Sequence, residues 1–289
     1  TPQLPADVYR LQRGNLRKLG STNDATLRDV ALGDVRKVSF DTDDGTTIDA
    51  FVVFPPDFRD GARYPGLLRV HGGPTSQYDY AFHTEAQLLA AQGYVVVMPN
   101  PRGSSGYGQE FATAIFADWG GIDYGDVVAS MDYAIDQGWV DPERTGVFGW
   151  SYGGIMTNHV ITKTGRFKAA ITGASATLYS ANYGHDQYQR WWEYELGLPW
   201  VEENREKWER ISPFYQLGKV TTPTLVVCGE HDWNVPLQNS EQLYAALKRL
   251  GVPTELVVYP EQYHGFSVPS YNKDLYVRYI DWFARYIPE

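Results

Sequence analysis

Gly149-Trp150-Ser151-Tyr152-Gly153 follows a short apolar run, Thr145 to Phe148, and precedes a segment, Ile155 to Thr164, whose pattern predicts a helix. In a strand, tight turn and helix setting, Gly-x-Ser-x-Gly reads as a nucleophile elbow. The turn is so sharp that bulky side chains beside the serine would clash, which accounts for the flanking glycines. The serine hydroxyl is then held at the mouth of the following helix, whose positive end favours negative charge developing nearby. With 28 glycines in 289 residues the motif can arise by chance, so its weight depends on partners elsewhere in the chain.

Outward from the elbow, strand and helix patterns alternate. Upstream, Lys37 to Phe40 and Thr46 to Phe54 flank Asp43-Asp44-Gly45 and read as an antiparallel hairpin. Leu67 to His71 is a short apolar strand running into Gly72-Gly73-Pro74. Thr84 to Gln92 has helical spacing, Tyr94 to Met98 is a wholly apolar strand, and Tyr124 to Gln137 is a second helix. Downstream come strand Lys168 to Thr172, an irregular aromatic stretch and strand Thr224 to Val227. Helix Leu237 to Leu250, strand Glu255 to Tyr259 and helix Lys273 to Tyr286 complete the chain. This spacing predicts an α/β fold with a mostly parallel central sheet, helices on both faces and a short N-terminal β segment. Ligand chemistry in such a sheet belongs at the carboxyl ends of its strands.

A serine hydroxyl is a poor nucleophile until a base takes its proton, and the base needs an acid to orient it. In an α/β-hydrolase the chain order is Ser, Asp or Glu, then His. Strand Thr224 to Val227 runs into Gly229-Glu230-His231-Asp232, and the next strand runs into Pro260-Glu261-Gln262-Tyr263-His264. Asp232 and His264 therefore occupy the expected positions, with Glu230 a rival acid. His159 lies inside the helix after the elbow and reads as a packing residue. His83 and His185 read as solvated, and His231 precedes the final strand, which breaks the order.

The oxyanion formed in acyl transfer needs preset donors, worth on the order of 3 kcal/mol each. One is the backbone N–H of Tyr152, the residue after the nucleophile. The other belongs in the loop His71-Gly72-Gly73-Pro74, which resembles the HGG motif of lipases and esterases. The loop Arg102-Gly103-Ser104-Ser105-Gly106-Tyr107-Gly108 lacks both the Gly-Lys-Ser/Thr ending of a phosphate loop and the dinucleotide spacing, so it reads as a structural turn.

Composition narrows the partners. The net charge of -10, with no basic cluster, argues against nucleic acid, and no apolar run approaches the roughly 20 residues of a membrane span. Hydrophobic residues make up 43% and charged residues 21%, as in an ordinary globular protein. The single cysteine, Cys228, lies in an apolar run and reads as a buried structural thiol. No Cys/His cluster has zinc spacing, and neither metal nor cofactor is expected. Residues 1–34 do not read as a domain: Val8 to Leu11 and Leu16 to Leu19 suggest a lone hairpin turning at Gly14-Asn15. The first residue is Thr1 rather than methionine, so a processed product or fragment is expected.

Several motifs in one order resemble the catalytic domain of the prolyl oligopeptidase family. They are His71 to Pro74, Pro101 to Gly108, Gly149 to Gly154, Thr222-Pro223-Thr224-Leu225 and His264-Gly265-Phe266, and the likeness runs from about Val35 to the chain's end. The nearest branches are the acylaminoacyl and dipeptidyl peptidases. The resemblance implies a serine peptidase acting on short peptides with the triad Ser151, Asp232 and His264. It also implies that residues 1–34 end an N-terminal β-propeller and linker, and that residues 35–289 form the hydrolase domain. Dipeptidyl peptidase relatives use a tyrosine hydroxyl as oxyanion donor where this chain has His71, which moves that role to the Gly73 backbone. Trp233-Asn234-Val235 resembles the Asp-Asn-Val of dipeptidyl peptidases, whose asparagine contacts the peptide carbonyl. The aromatics Tyr179, Tyr183, Tyr188, Trp191, Trp192 and Tyr194 lie where this family builds its P1 pocket. Tyr179 and Tyr183 are the expected lining, and the tryptophans read rather as core or propeller contacts.

The expectation is thus a serine exopeptidase or oligopeptidase with oxyanion donors Tyr152 and Gly73 and substrate contacts at Asn234, Val235, Tyr179 and Tyr183. A carboxylesterase of the same fold and a catalytically inactive binding module are the alternatives. The sequence leaves homo-oligomerisation open.

Overall fold

The structure, a computed structural model, describes residues 1–287. Its strands are β1 (Tyr9–Gln12), β2 (Asn15–Lys18), β3 (Val35–Asp41), β4 (Thr47–Val53), β5 (Tyr64–Val70), β6 (Val95–Asn100), β7 (Val140–Trp150), β8 (Ala169–Gly173), β9 (Thr224–Gly229) and β10 (Thr254–Tyr259). Its helices are α1 (Asp24–Leu27), α2 (Thr84–Ala90), α3 (Gln109–Thr113), α4 (Ile122–Asp136), α5 (Tyr152–Lys163), α6 (Gln189–Leu196), α7 (Arg205–Arg210), α8 (Gln238–Leu250) and α9 (Pro269–Tyr286).

Eight strands form one sheet in the order β10-β9-β8-β7-β5-β6-β4-β3, and β1-β2 form a separate two-stranded sheet. From β6 through β5, β7, β8 and β9 to β10 every pairing is parallel, while β3 and β4 pair antiparallel at the other edge. Successive side chains on a strand point to opposite faces. Leu68, Val97, Val147 and Val226 therefore enter a core containing Val127 of α4, Ile155 of α5 and Leu243 of α8. Their neighbours Leu67, Val96, Phe148 and Val227 enter the opposite core with Leu89 of α2 and Phe283 of α9. Burial on both faces explains why these strands read as continuous apolar runs rather than alternating ones.

Five details depart from the sequence reading. The hairpin turns at Arg13-Gly14, not Gly14-Asn15, because a two-residue turn compatible with strand twist needs positive φ at both positions. Arg13 and Gly14 have φ of 50° and 82°, and Asn15 already pairs with Gln12. The aromatic stretch is largely helical: α6 and α7 are cut short by Gly197 and Pro213, too short to show a clear helical period. The elbow helix starts at Tyr152 rather than Ile155, and α9 starts at Pro269, which supplies a preset φ for the first turn. Asp141 and Pro142 fall inside β7.

The N-terminal segment meets helix α2 at Gly33. Its N–H donates to Gln87 Oε1 at 2.8 Å, and its carbonyl accepts from Gln87 Nε2 at 3.1 Å. Among the described residues, no helix is long and apolar enough to cross a membrane.

Candidate active site

Ser151 sits between an interior strand and a helix. It has φ 60° and ψ −126°, a backbone conformation that costs a non-glycine residue on the order of 1–3 kcal/mol and persists only where its surroundings enforce it. The enforcement is local. The Ser151 N–H donates to the Gly173 carbonyl at 2.9 Å, and its carbonyl accepts the Ile155 N–H at 2.9 Å, closing the first turn of α5. A Cβ at Gly149 would overlap the Gly153 backbone, and one at Gly153 would overlap the Val70 carbonyl of β5. Both flanking glycines are therefore required by close backbone approach.

Asp232 and His264 lie past the carboxyl ends of β9 and β10. The Asp232 side chain is fully enclosed, and its two oxygens have separate duties. Oδ1 accepts the backbone N–H groups of Asn234 at 2.8 Å and Val235 at 2.9 Å, whereas Oδ2 is 2.8 Å from His264 Nδ1. With Nδ1–H donating to the carboxylate, His264 Nε2 carries the lone pair that a general base needs. Glu230 instead accepts the N–H of exposed Glu261 at 2.9 Å. The His264 carbonyl accepts the indole N–H of Trp150 at 2.7 Å, which fastens the base loop to the residue preceding the nucleophile.

The loop after β5 comes up against the elbow: a Cβ on Gly72 would stand 3.4 Å from Ser151 Cβ. Gly73 has φ 130°, and a Cβ there would meet the Thr75 nitrogen at 2.8 Å, so this turn needs glycine. His71 is buried, with Nδ1 at 2.7 Å from the Gly72 carbonyl and Nε2 at 2.9 Å from Ser104 Oγ. Desolvation pushes its pKa down to about 4, so the ring is neutral near pH 7. Ser104 itself donates to the Pro101 carbonyl at 2.6 Å. The 102–108 loop thus props the His71 loop, and its Arg102 is occupied by Asp126 and Asp44, both at 2.6 Å.

Beside Ser151 an open cavity is lined by Gly73 and Tyr152 together with Trp119, Tyr179, Tyr188, Trp191, Trp192, Asn234 and Val235, among others. Trp119 meets Tyr152, Tyr179, Trp191 and Trp192 edge-on, with ring centroids 5.4 to 6.1 Å apart. Two carboxylates brace this wall from behind: Asp186 Oδ2 accepts Trp192 Nε1 at 2.7 Å, and Glu195 accepts Trp191 Nε1. Burial raises the pKa of both. Asn234 Oδ1 accepts Gln187 Nε2 at 2.5 Å, which fixes the asparagine at the rim.

Five of the six residues expected to contact substrate or oxyanion, Tyr152, Gly73, Tyr179, Asn234 and Val235, line this cavity; Tyr183 does not. The Tyr183 ring packs edge-on against Trp200 and Trp208, and its hydroxyl donates to Glu193 at 2.6 Å. Trp191 and Trp192, read from sequence rather as core or propeller contacts, are walls of the cavity, as is Trp119 from a distant loop. The i, i+3, i+4 spacing of Tyr188, Trp191 and Trp192 signals one aromatic face once α6 is known to be a helix. His159 is buried, and desolvation lowers its pKa to about 3, whereas His185 and His231 are exposed. Burial pushes the Cys228 thiol up to about 12, which makes it a poor nucleophile.

A mostly parallel sheet with a serine elbow on an interior strand, followed in chain order by an acid and a histidine at neighbouring strand ends, defines an α/β-hydrolase. Residues 80–289 match the sequence model of the prolyl oligopeptidase family. The chain is 36% identical over 292 residues to the uncharacterized peptidase YuxL of Bacillus subtilis, covering 99% of this chain and 44% of that protein. It is 29% identical to dipeptidyl-peptidase 5 of Porphyromonas gingivalis, covering 99% and 43%. Among solved structures, Pyrococcus horikoshii acylaminoacyl peptidase superposes with a TM-score of 0.91 at 28% identity, covering 100% of this chain and 47% of that one. An acylaminoacyl peptidase in complex with Z-Gly-Gly-Phe-chloromethyl ketone matches with the same figures. This chain belongs to the prolyl oligopeptidase family and has the fold of its catalytic domain. It spans less than half the length of these relatives.

Proposed function

We propose that this domain hydrolyses peptide bonds in short peptides through an acyl-enzyme at Ser151. The observation that carries the reading is the enclosed Asp232–His264 hydrogen bond of 2.8 Å, fastened to an elbow that holds Ser151 at positive φ. Ser151 Oγ attacks the scissile carbonyl carbon while His264 Nε2 takes its proton. The resulting oxyanion is met by the backbone N–H groups of Tyr152 and Gly73. Collapse breaks the C–N bond as His264 delivers the proton to the leaving amine. Water then attacks the ester, losing its proton to His264, and the acid product leaves as Ser151 is reprotonated.

The cavity beside Ser151 suits an apolar or aromatic P1 side chain, with Asn234 at the rim placed for a peptide carbonyl. Peptidase names among the relatives, and the peptidyl chloromethyl ketone held by one of them, support a peptide over a simple ester. Dipeptide release and acyl-amino-acid release are both in keeping with these relatives. Their greater length supports the further proposal that the 35–289 hydrolase domain works beside a β-propeller, of which residues 1–34 form the end and linker.

Ser151→Ala tests the centre. Turnover of blocked peptide amides and labelling by a fluorophosphonate are both expected to vanish, and labelling that survives the substitution removes Ser151 from the reaction.

A further inference from the structure

Behind the oxyanion residue lies a carboxylate that the proposed reaction does not use. Asp123, in the first turn of α4, is fully buried. Its Oδ2 accepts the Tyr152 hydroxyl at 2.6 Å and the Gly120 N–H at 3.1 Å, and Oδ1 accepts the Tyr124 N–H at 3.1 Å. The last two bonds are local, to backbone groups within three residues of Asp123 at the start of α4. The first is different in kind: it crosses to α5 and grips the side chain of the residue whose backbone N–H faces the oxyanion.

The second partner matters as well. Gly120 follows Trp119, the indole that meets the Tyr152 ring edge-on at 5.5 Å. The segment around Trp119 is held from its other end at Ala117, a residue with φ 54°. The Ala117 N–H donates to Glu195 at 3.0 Å, and its carbonyl accepts from Arg210 at 2.8 Å. Lys163 donates to the Gly120 carbonyl. Asp123 therefore ties Tyr152 to a segment that is itself anchored on α5, α6 and α7. A helix whose first residue carries the donor is thereby fixed about its own axis by a bond at the far end of a tyrosine ring.

We propose that Asp123 is a positioning residue for the reaction, aiming the Tyr152 amide at the oxyanion by holding the Tyr152 side chain against the Trp119 segment. The inference rests on the serine peptidase reading above. Catalytic hydrogen-bond donors act only when preset, so loss of aim shows in the chemical step rather than in substrate affinity.

The test is steady-state kinetics on the whole protein with a blocked peptide amide carrying phenylalanine at P1. Asp123→Ala is expected to lower kcat tenfold or more with KM within threefold, and to slow fluorophosphonate labelling in parallel. Tyr152→Phe, which removes the same bond from its other side, is expected to reproduce the loss. In the double variant the second substitution is expected to add less than twofold. If Asp123→Ala does not fold, Asp123→Asn, of equal size but with one acceptor oxygen fewer, carries the same comparison. A folded Asp123 variant with unchanged kcat, or losses that multiply in the double variant, would reduce Asp123 to a helix cap. A wild-type protein that fails to label overturns the serine peptidase reading and this role together; labelling with an unimpaired Asp123 variant overturns only this role.

Discussion

The Trp150 indole N–H donates to the His264 carbonyl at 2.7 Å across 114 residues of sequence. This bond joins the immediate neighbour of Ser151 to the backbone of His264, the proposed nucleophile and base, so the two loops keep one spacing. The Trp150 ring also meets Phe266 edge-on at 5.3 Å, which holds the same loop from its other side. Trp150→Phe keeps the aromatic packing and removes the donor. A neutral hydrogen bond is worth about 1 kcal/mol, so kcat is expected to fall roughly five- to tenfold with KM little changed. Equal kcat in the two proteins, measured on one amide substrate, would show that the bond is dispensable.

Asp232→Asn separates orientation from loop support. Asparagine can still accept from the Asn234 and Val235 N–H groups through one oxygen, but it turns an N–H toward His264 or forces the other imidazole tautomer. The expected loss in kcat is on the order of 10³ to 10⁴ with unfolding little altered. Asp232→Ala loses the loop bonds too, so it should also unfold at lower urea.

The cavity wall gives a paired test. Trp191→Ala removes a ring from the wall of the proposed P1 cavity and is expected to raise KM for a phenylalanine P1 substrate tenfold or more. The same variant should leave an alanine P1 substrate within threefold. Tyr183→Phe breaks only a bond to Glu193 outside the cavity and should leave both substrates unchanged. A P1 effect from Tyr183→Phe would place the side-chain pocket elsewhere.

Stability should depend on pH through Asp123. Burial raises its carboxyl from 3.8 to about 6 in the folded chain. Between about pH 4 and 6 the folded state keeps a proton that the unfolded chain has released, so stability falls as pH rises through this window. The fall is about 3 kcal/mol and persists above it. Lys163, Asp118, Asp126, Tyr152 and Tyr179 also act on this region, and His159, held neutral down to about pH 3, does not titrate within it. Urea unfolding of wild type and Asp123→Asn should show a difference that moves in the variant's favour from pH 4 to 6.5. A constant difference would contradict the assignment.

The proposed trio of Ser151, Asp232 and His264 was legible because each member follows a short apolar strand, where periodicity and turn residues mark the carboxyl end without tertiary knowledge. Tyr152 was named as the residue after the proposed nucleophile, and Gly73 came from the family resemblance rather than from strand ends. The side-chain pocket was not legible to the same degree. Its walls come from the loop holding Trp119 and from α6, a helix of eight residues bounded by Gly197. Whether an aromatic on so short an element faces solvent, core or cavity depends on partners distant in sequence, such as Trp119 for Trp192. Asp123 was missed for a related reason. An acid at a helix start is commonplace, and nothing local distinguishes one whose oxygen reaches another helix.

The position of β10 at the sheet edge has a consequence for how activity is acquired. The backbone that holds Ser151 is contributed by β5, β7 and β8, but His264 follows an edge strand whose only neighbour in the sheet among the described residues is β9. On the proposed mechanism Ser151 without His264 lacks its base, so hydrolysis requires this single edge strand to be docked on β9, and the onset of activity would report that docking.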